Sequence, residues 1–362
     1  MIRPARLALL AACLLPAATA MAADMKIAVV APDAGSFALL GKQIRDGATF
    51  AAKDSGTEIV PIAESCEPDA GGETAKALIS AGVDAAIGFL CSESLEATLP
   101  LLTEAQIPAI TVSVRSGILM EDAVKNKWPL FRLAPTGDAE AKKIVTEITS
   151  RWKDKSFALI EDGTIYSREL VETVRTALEE IGMKPVFTDT YRPTQEQQVA
   201  LVRRLAKTGA THVFISGDRN DTAIIARDAK SEKLALTIMG GDALTAANQP
   251  VPLPDGVLAV TLMDPATTPD GKAVADALRQ AKIEPEGYVL PAFAAVSLLE
   301  QAHELSGESD QPLAASLLNG PFSTVLGSIG FTAGHERSDN PYQLMQWQGS
   351  RFVPVKALDE TQ

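Results

Sequence analysis

Ala81–Ser94 reads AGVDAAIGFLCSES, and this stretch sets the fold class. Gly82 can end a helix in a left-handed turn, and Asp84–Phe89 then forms a short, almost uninterrupted apolar strand. A polar loop, Cys91-Ser92-Glu93-Ser94, follows and leads into the next helix. A strand without polar alternation is buried on both faces. A parallel sheet covered by helices provides that burial, whereas a one-sided antiparallel sheet does not. The same grammar returns at Thr208–Asn220, TGATHVFISGDRN, with Gly209 as the stop, Thr211–Ser216 as the strand and Gly217-Asp218-Arg219-Asn220 as the loop. Two echoes more than a hundred residues apart predict two α/β units rather than one.

Working outward, strands are predicted at Lys26–Ala31, Ile59–Ala63, Pro108–Val112 and Leu130–Leu133, with helices at 36–54 (capped by Ser36), Gly72–Ala81, Ser92–Gln106 and Asp138–Trp152. The pattern restarts with strands at Ser156–Ile160, Val186–Thr190, Thr237–Met239 and Gly256–Leu262. Helices at Tyr166–Ile181, Gln195–Thr208 and Asp221–Lys233 separate them. Helices at Gly271–Ala281, Tyr288–Ser306 and Pro312–Leu318 follow, then a strand at Ser328–Thr332 and a hairpin of Tyr342–Gln348 with Arg351–Val355. Helical returns after a completed second sheet predict that the chain crosses back into the first lobe. The fold class is therefore α/β: two Rossmann-like lobes with mostly parallel sheets and a multi-strand hinge. In such sheets ligands bind beyond the carboxyl ends of the strands, so the two echoed loops would share one interlobe cleft.

The chain has 362 residues, 46% of them hydrophobic, which is enough for about two domains with real cores. Its formal net charge of -13 argues against nucleic acid, which requires a basic footprint. Met1–Ala23 reads as an export signal: Arg3 and Arg6, an apolar run Leu7–Leu15, and an A-x-A site at Ala20-Met21-Ala22. Removing residues 1–22 takes two of the 33 basic residues and leaves 31 against 46 acidic ones, a net of -15. Leu10-Ala11-Ala12-Cys13 offers a lipoprotein alternative. If Cys13 departs with the signal, Cys66 and Cys91 remain, either as one disulfide in an oxidising compartment or as two buried thiols.

Several chemistries lack their residues. There is no G-x-S-x-G nucleophile elbow, no G-x-x-x-x-G-K-[ST] and no G-x-G-x-x-G after the first strand. His212, His303 and His335 have no ligand spacing between them, so structural or surface roles are expected and no metal site. The expectation is a protein that is not an enzyme and needs no cofactor.

Val29-Val30-Ala31-Pro32, Gly35-Ser36-Phe37 and Gly41-Lys42-Gln43-x-x-Asp46-Gly47-Ala48 resemble the opening of type I periplasmic binding proteins, in the leucine/isoleucine/valine-binding branch. Ser65-Cys66-Glu67-Pro68, Ile87–Ser92, Phe131-Arg132, Tyr166, Gly240-Gly241-Asp242 and Gly327-x-x-Gly330-Phe331 continue the resemblance in order across nearly the whole mature chain. The resemblance implies a Cys66–Cys91 disulfide and a fold that closes on a small ligand, an amino acid or related carboxylate. That ligand would pass to an ABC transporter permease from a monomer in the periplasm. A soluble sensor presenting the ligand to a membrane receptor is the alternative. The implied lobes are 23–135 with 263–333, and 136–262 with 334–362.

The resemblance also implies site residues. Ser92, Ser113 and Arg115, with the loop Ser36–Leu40, would hold the ligand carboxylate from the first lobe. Ser92 could equally serve as a helix cap. Tyr166, Asp218 and Asp242 would come from the second lobe, Asp242 facing the ammonium. Tyr288 would wall the side-chain pocket or simply pack on core. The family's Pro-Ala-Ala-Thr is here Val112-Ser113-Val114-Arg115, and Asp218 and Leu40 replace aromatics. Arg115 either grips a carboxylate bidentately, pairs with Asp218 as a latch, or points to solvent.

Overall fold

A computed structural model describes residues 25–67 and 70–356. The expected signal segment, Cys13, Pro68 and the last six residues lie outside the described residues. Five parallel strands build the first sheet: β1 (Lys26–Ala31), β2 (Glu58–Ala63), β3 (Ala85–Gly88), β4 (Ala109–Thr111) and β5 (Leu130–Arg132), in spatial order β2-β1-β3-β4-β5. The second sheet takes β6 (Phe157–Glu161), β7 (Phe187–Thr190), β8 (His212–Ser216), β9 (Thr237–Gly240) and β10 (Leu258–Leu262). After a small hairpin, β11 (Phe322–Thr324) and β12 (Gly327–Ile329), the strands β13 (Tyr342–Gln348) and β14 (Arg351–Pro354) join it. Its order is β14-β13-β10-β9-β8-β6-β7, parallel except where β13 meets β10 and β14.

Each sheet is buried on both faces, as the unbroken apolar strands predict. On β1, Ile27, Val29 and Ala31 join a core with Ile44 and the helix Val289–Ser309, while Ala28 and Val30 face Leu78, Leu95 and Leu99. Ala266, Leu278, Leu317 and Phe331 belong to that first-sheet core although they follow β10 in sequence, so the chain does return to the first lobe. Gly47 lets the helix Ala38–Ala51 meet Val289, because a Cβ there would lie 2.0 Å from the Val289 carbonyl oxygen. Cys66 and Cys91 are joined in a disulfide, with Cα atoms 5.3 Å apart.

Some local expectations are corrected. Ser36 does not cap a helix; it lies in a short 3₁₀ turn, Gly35–Phe37, ahead of a helix that starts without a side-chain cap. The helix expected from Gln195 starts at Val199. Carboxylates outcompete the helix there: Asp221 accepts the Thr194 N–H at 3.0 Å, and Asp228 accepts the Gln198 N–H at 2.6 Å. The strand expected at Ser328–Thr332 is the shorter β12, paired with a β11 that the sequence did not suggest. The helix Gly117–Asn126 is also additional, and the Ser116 side chain caps it by accepting the Leu119 N–H at 3.2 Å. Among the described residues no helix is long and apolar enough to cross a membrane.

Where the chain passes between lobes, Arg132, 1% exposed, forms a two-pronged ion pair with Glu336, its Nε lying 2.7 Å from Oε2. Its Nη1 donates to the Ser116 carbonyl at 3.0 Å. His335 stacks on Phe131 at 4.4 Å, and His212 meets Trp152 edge-on at 5.1 Å. Both histidines pack as structural residues.

Candidate functional site

Both sheets reverse strand order beside their first strand, β1/β3 in one and β6/β8 in the other, and the loops that follow those strands leave from the carboxyl ends, where ligands bind in such sheets. In the first lobe, Arg45 fixes the exit of β1 by donating to the carbonyls of Ala31 at 3.2 Å and Pro32 at 3.0 Å. At the exit of β3, Gly88 turns with φ of +111°, close against Val30. The Glu64 carboxylate, buried at the end of β2, then accepts the N–H groups of Leu90 at 2.8 Å and Cys91 at 3.2 Å. Burial raises the Glu64 pKa to about 7, against the pull of those two donors. Ser92 is the first residue of the helix Ser92–Glu104. The cap position belongs to Cys91, without a side-chain bond, so the expected capping role of Ser92 is not realised. After β4, the Thr111 hydroxyl accepts the N–H groups of Ser113 at 3.3 Å and Val114 at 3.0 Å. That turn presents Ser113 half-buried and Arg115 exposed.

In the second lobe, Asp162 and Thr164 organise the exit of β6. Asp162 Oδ1 accepts the Thr164 N–H at 2.9 Å, and Thr164 caps the helix Ile165–Glu180 through the Ser167 N–H. Tyr166, 55% exposed, stands at the rim and donates its hydroxyl proton to Glu140 Oε2. The other oxygen of Glu140 accepts the Asp242 N–H at 2.8 Å. Asp242 in turn accepts the Leu262 N–H at 3.1 Å. One carboxylate, 6% exposed, thus ties together three elements. Burial pushes the Glu140 and Asp242 carboxyls up. The Tyr166 hydroxyl and the Asp242 N–H hold the first down, the Leu262 N–H holds the second down, and Arg115 lowers both. Asp218 caps the helix Arg219–Ser231, accepting the Asn220 N–H at 2.7 Å. A pocket of about 200 Å³ opens among Glu140, Asp162, Tyr166, Ser216, Gly217 and Asp218. A Cβ on Gly217 would lie 2.1 Å from the Tyr191 hydroxyl oxygen, so a larger residue there would push the buried Tyr191 ring aside.

The structure therefore brings Tyr166 and Asp218 into one pocket and joins Asp242 to it through Glu140. Arg115 faces them from the first lobe, donating to the Tyr342 hydroxyl at 3.4 Å. The Arg115–Asp218 pair, one of the three readings of Arg115, is not formed; the positive charge of Arg115 instead lowers the carboxyls of Glu140 and Asp242. Ser92 and Ser113 lie at neighbouring strand exits of the first sheet. Tyr288 stands apart from the pocket at the cap of the helix Val289–Ser309, packed against the first-lobe core, with its N–H directed to Gln43 Oε1 at 3.3 Å. Glu140 and Tyr342 escaped the sequence reading. A signal for Glu140 existed: in the helix Ala139–Arg151 it lies four residues before Ile144 on the buried face, where a carboxylate needs a partner. Among the described residues no group of three or more His, Cys, Asp or Glu could hold a metal ion.

Comparison with known proteins places the fold. The profile of the family described as periplasmic binding protein matches residues 24–351. An amino acid binding protein of Pseudomonas aeruginosa (strain PAO1) is 28% identical over 342 residues, covering 90% of each chain. The Leu/Ile/Val-binding protein homolog 2 of Brucella abortus (strain 2308) is 26% identical over 340 residues, covering 90% of this chain and 91% of that one. The crystal structure of an ABC transporter substrate-binding protein from Desulfitobacterium hafniense, in complex with Leu, shares the fold with a TM-score of 0.64 at 20% identity. It covers 92% of this chain and 100% of that one.

Proposed function

The chain belongs to the periplasmic binding protein family, and from that premise we propose that it captures an amino acid between its lobes and delivers it to an ABC transporter permease. The single observation that carries the reading is the opposition of charge across the cleft. Arg115, on an ordered turn of the first lobe, looks toward the Glu140–Tyr166–Asp242 cluster of the second. A zwitterion satisfies both sides at once. Its carboxylate meets the Arg115 guanidinium together with the hydroxyls of Ser92 and Ser113, and its ammonium meets Asp242 with Glu140 behind it. Asp218 and Tyr166 line the pocket around the ligand, whereas Tyr288 supports the first lobe from its core and takes no part in the contact.

Closure brings the halves together. A ligand bridging them supplies the contacts that the open form lacks, so binding selects the closed shape, which the permease then reads. The lobes are 23–135 with 263–333, and 136–262 with 334–362, a division supported by the shared core of Ala266–Phe331 with β1. The protein acts as a monomer in the periplasm after loss of residues 1–22, and its cycle makes and breaks no covalent bond.

The test is a thermal shift with L-leucine, with leucinamide, which lacks the carboxylate, and with 2-hydroxy-4-methylpentanoate, which lacks the ammonium. Free ligand at a hundred times its dissociation constant stabilises by about 2.7 kcal/mol. L-leucine or another standard amino acid should shift the melting temperature and each analogue should not. If none of the twenty amino acids moves it, or the hydroxy acid works as well as leucine, the reading fails.

A further inference from the structure

A second cavity, bordered by the second sheet and by Asp264–Pro269, is lined by an arginine that forms no ion pair among the described residues. Arg219, at the start of the helix Arg219–Ser231, is 2% exposed. Its Nε and Nη2 donate to Asn248 Oδ1 at 3.2 and 2.6 Å, and Nη1 donates to the Leu244 carbonyl. These bonds use three of its five N–H groups, all on neutral acceptors. The guanidinium lies 4.3 Å from the ring centre of Trp347 and 5.8 Å from that of Phe352. Among the described residues it forms no ion pair, and burial lowers its pKa with no carboxylate opposing that shift. Buried arginines are ordinarily paired, because an uncompensated buried charge is costly.

Arg219 borders a cavity of about 750 Å³ between β10, β13, β14 and the turn after β9. Trp347, Phe352, Met345 and Val353 supply apolar wall, and Arg351, exposed at the mouth, adds a second cation. The lining carboxylate, Asp264, already accepts the Ala266 N–H at 2.9 Å as a turn cap. A cationic, aromatic-walled cavity is complementary to an anion with an apolar body. We infer that this cavity is a second binding site, for an organic monocarboxylate whose carboxyl group meets the free N–H groups of Arg219 and whose hydrocarbon part lies on Trp347 and Phe352. The site is tied to the cleft through one short turn. Asp242 starts it on the cleft side, and the Leu244 carbonyl that Arg219 holds lies two residues on.

The probe is 4-phenylbutyrate, with 4-phenylbutanamide as its uncharged counterpart, measured by calorimetry and tryptophan fluorescence on the full chain. The acid should bind one to one and quench fluorescence, with the amide at least about tenfold weaker, as expected for charge-assisted hydrogen bonds. Arg219→Met should bring acid and amide to the same affinity. Trp347→Phe should abolish the quenching while calorimetric binding persists, and Arg351→Ala should weaken the acid two- to threefold. Equal affinity of acid and amide in the parent protein overturns the inference. So does quenching that survives Trp347→Phe, or an undiminished preference for the acid in folded Arg219→Met. Should Arg219→Met not fold, the acid–amide comparison and Trp347→Phe decide the matter without it.

Discussion

Glu64→Gln tests whether a buried carboxylate at the edge of the cleft sets the protein's response to pH. Glu64 accepts two backbone N–H groups in the loop that carries Ser92, and burial holds its pKa at about 7. The folded pKa lies above the unfolded value of 4.5, so the folded state prefers the protonated acid. The stability that this protonation contributes is fully present below pH 4.5 and is lost as pH rises through 7. The whole effect corresponds to about 3 kcal/mol, of which about 2–3 kcal/mol falls between pH 5 and pH 8. Glutamine has one carbonyl oxygen for two donors, which costs about 1 kcal/mol at every pH, but it carries no titration. The variant should therefore be at most slightly less stable than the parent at pH 5 and clearly more stable at pH 8, with the two equal between pH 5 and pH 6. Urea unfolding of both proteins at pH 5, 6, 7 and 8, disulfide intact, gives the difference directly from the midpoints and slopes. A difference that stays constant across that range refutes the reasoning, because Glu64 would then titrate alike in both states.

Other perturbations probe other links of the structure. Tyr166→Phe leaves buried Glu140 with the Asp242 N–H as its remaining hydrogen-bond donor, which favours the protonated acid, and should weaken L-leucine about tenfold, more at pH 6 than at pH 8, in calorimetric titrations. Replacing Cys66 and Cys91 together by serine opens a bridge spanning 25 residues and should lower unfolding free energy by about 3–4 kcal/mol in urea. Gly47→Ala drives a Cβ against the Val289 carbonyl and should destabilise by about 1–3 kcal/mol, whereas Gly72→Ala, in open space on the helix Gly71–Ala81, should be neutral or slightly stabilising. Melting temperatures of the two glycine variants, measured side by side, check that contrast.

Much of this molecule is written locally. The apolar runs of β1, β3, β6 and β8, each followed by a glycine or polar turn and a helix, specify two covered parallel sheets without reference to anything distant. Hydrophobic periodicity is a property of adjacent residues, so it can be read from them. The motifs around Cys66 and Cys91 likewise point to the disulfide that the structure contains. Errors arose where distant side chains intervene: Asp221 and Asp228 hold 194–198 out of the helix that the local pattern favours. The site divides along the same line. Tyr166, Asp218 and Asp242 were named through the family resemblance, and each lies in the segment that follows a strand of the second sheet. Which of them interact was not legible. The partner of Tyr166 is Glu140, 26 residues away, the partner of the Glu140 carboxylate's other oxygen is 102 residues away, and Arg115 meets Tyr342 at a separation of 227. The sequence by itself determined the elements, their class and the ends of the strands where chemistry belongs. Tertiary structure alone decided which charges share a low-dielectric space, because burial and pairing are set by three-dimensional neighbours and not by spacing along the chain.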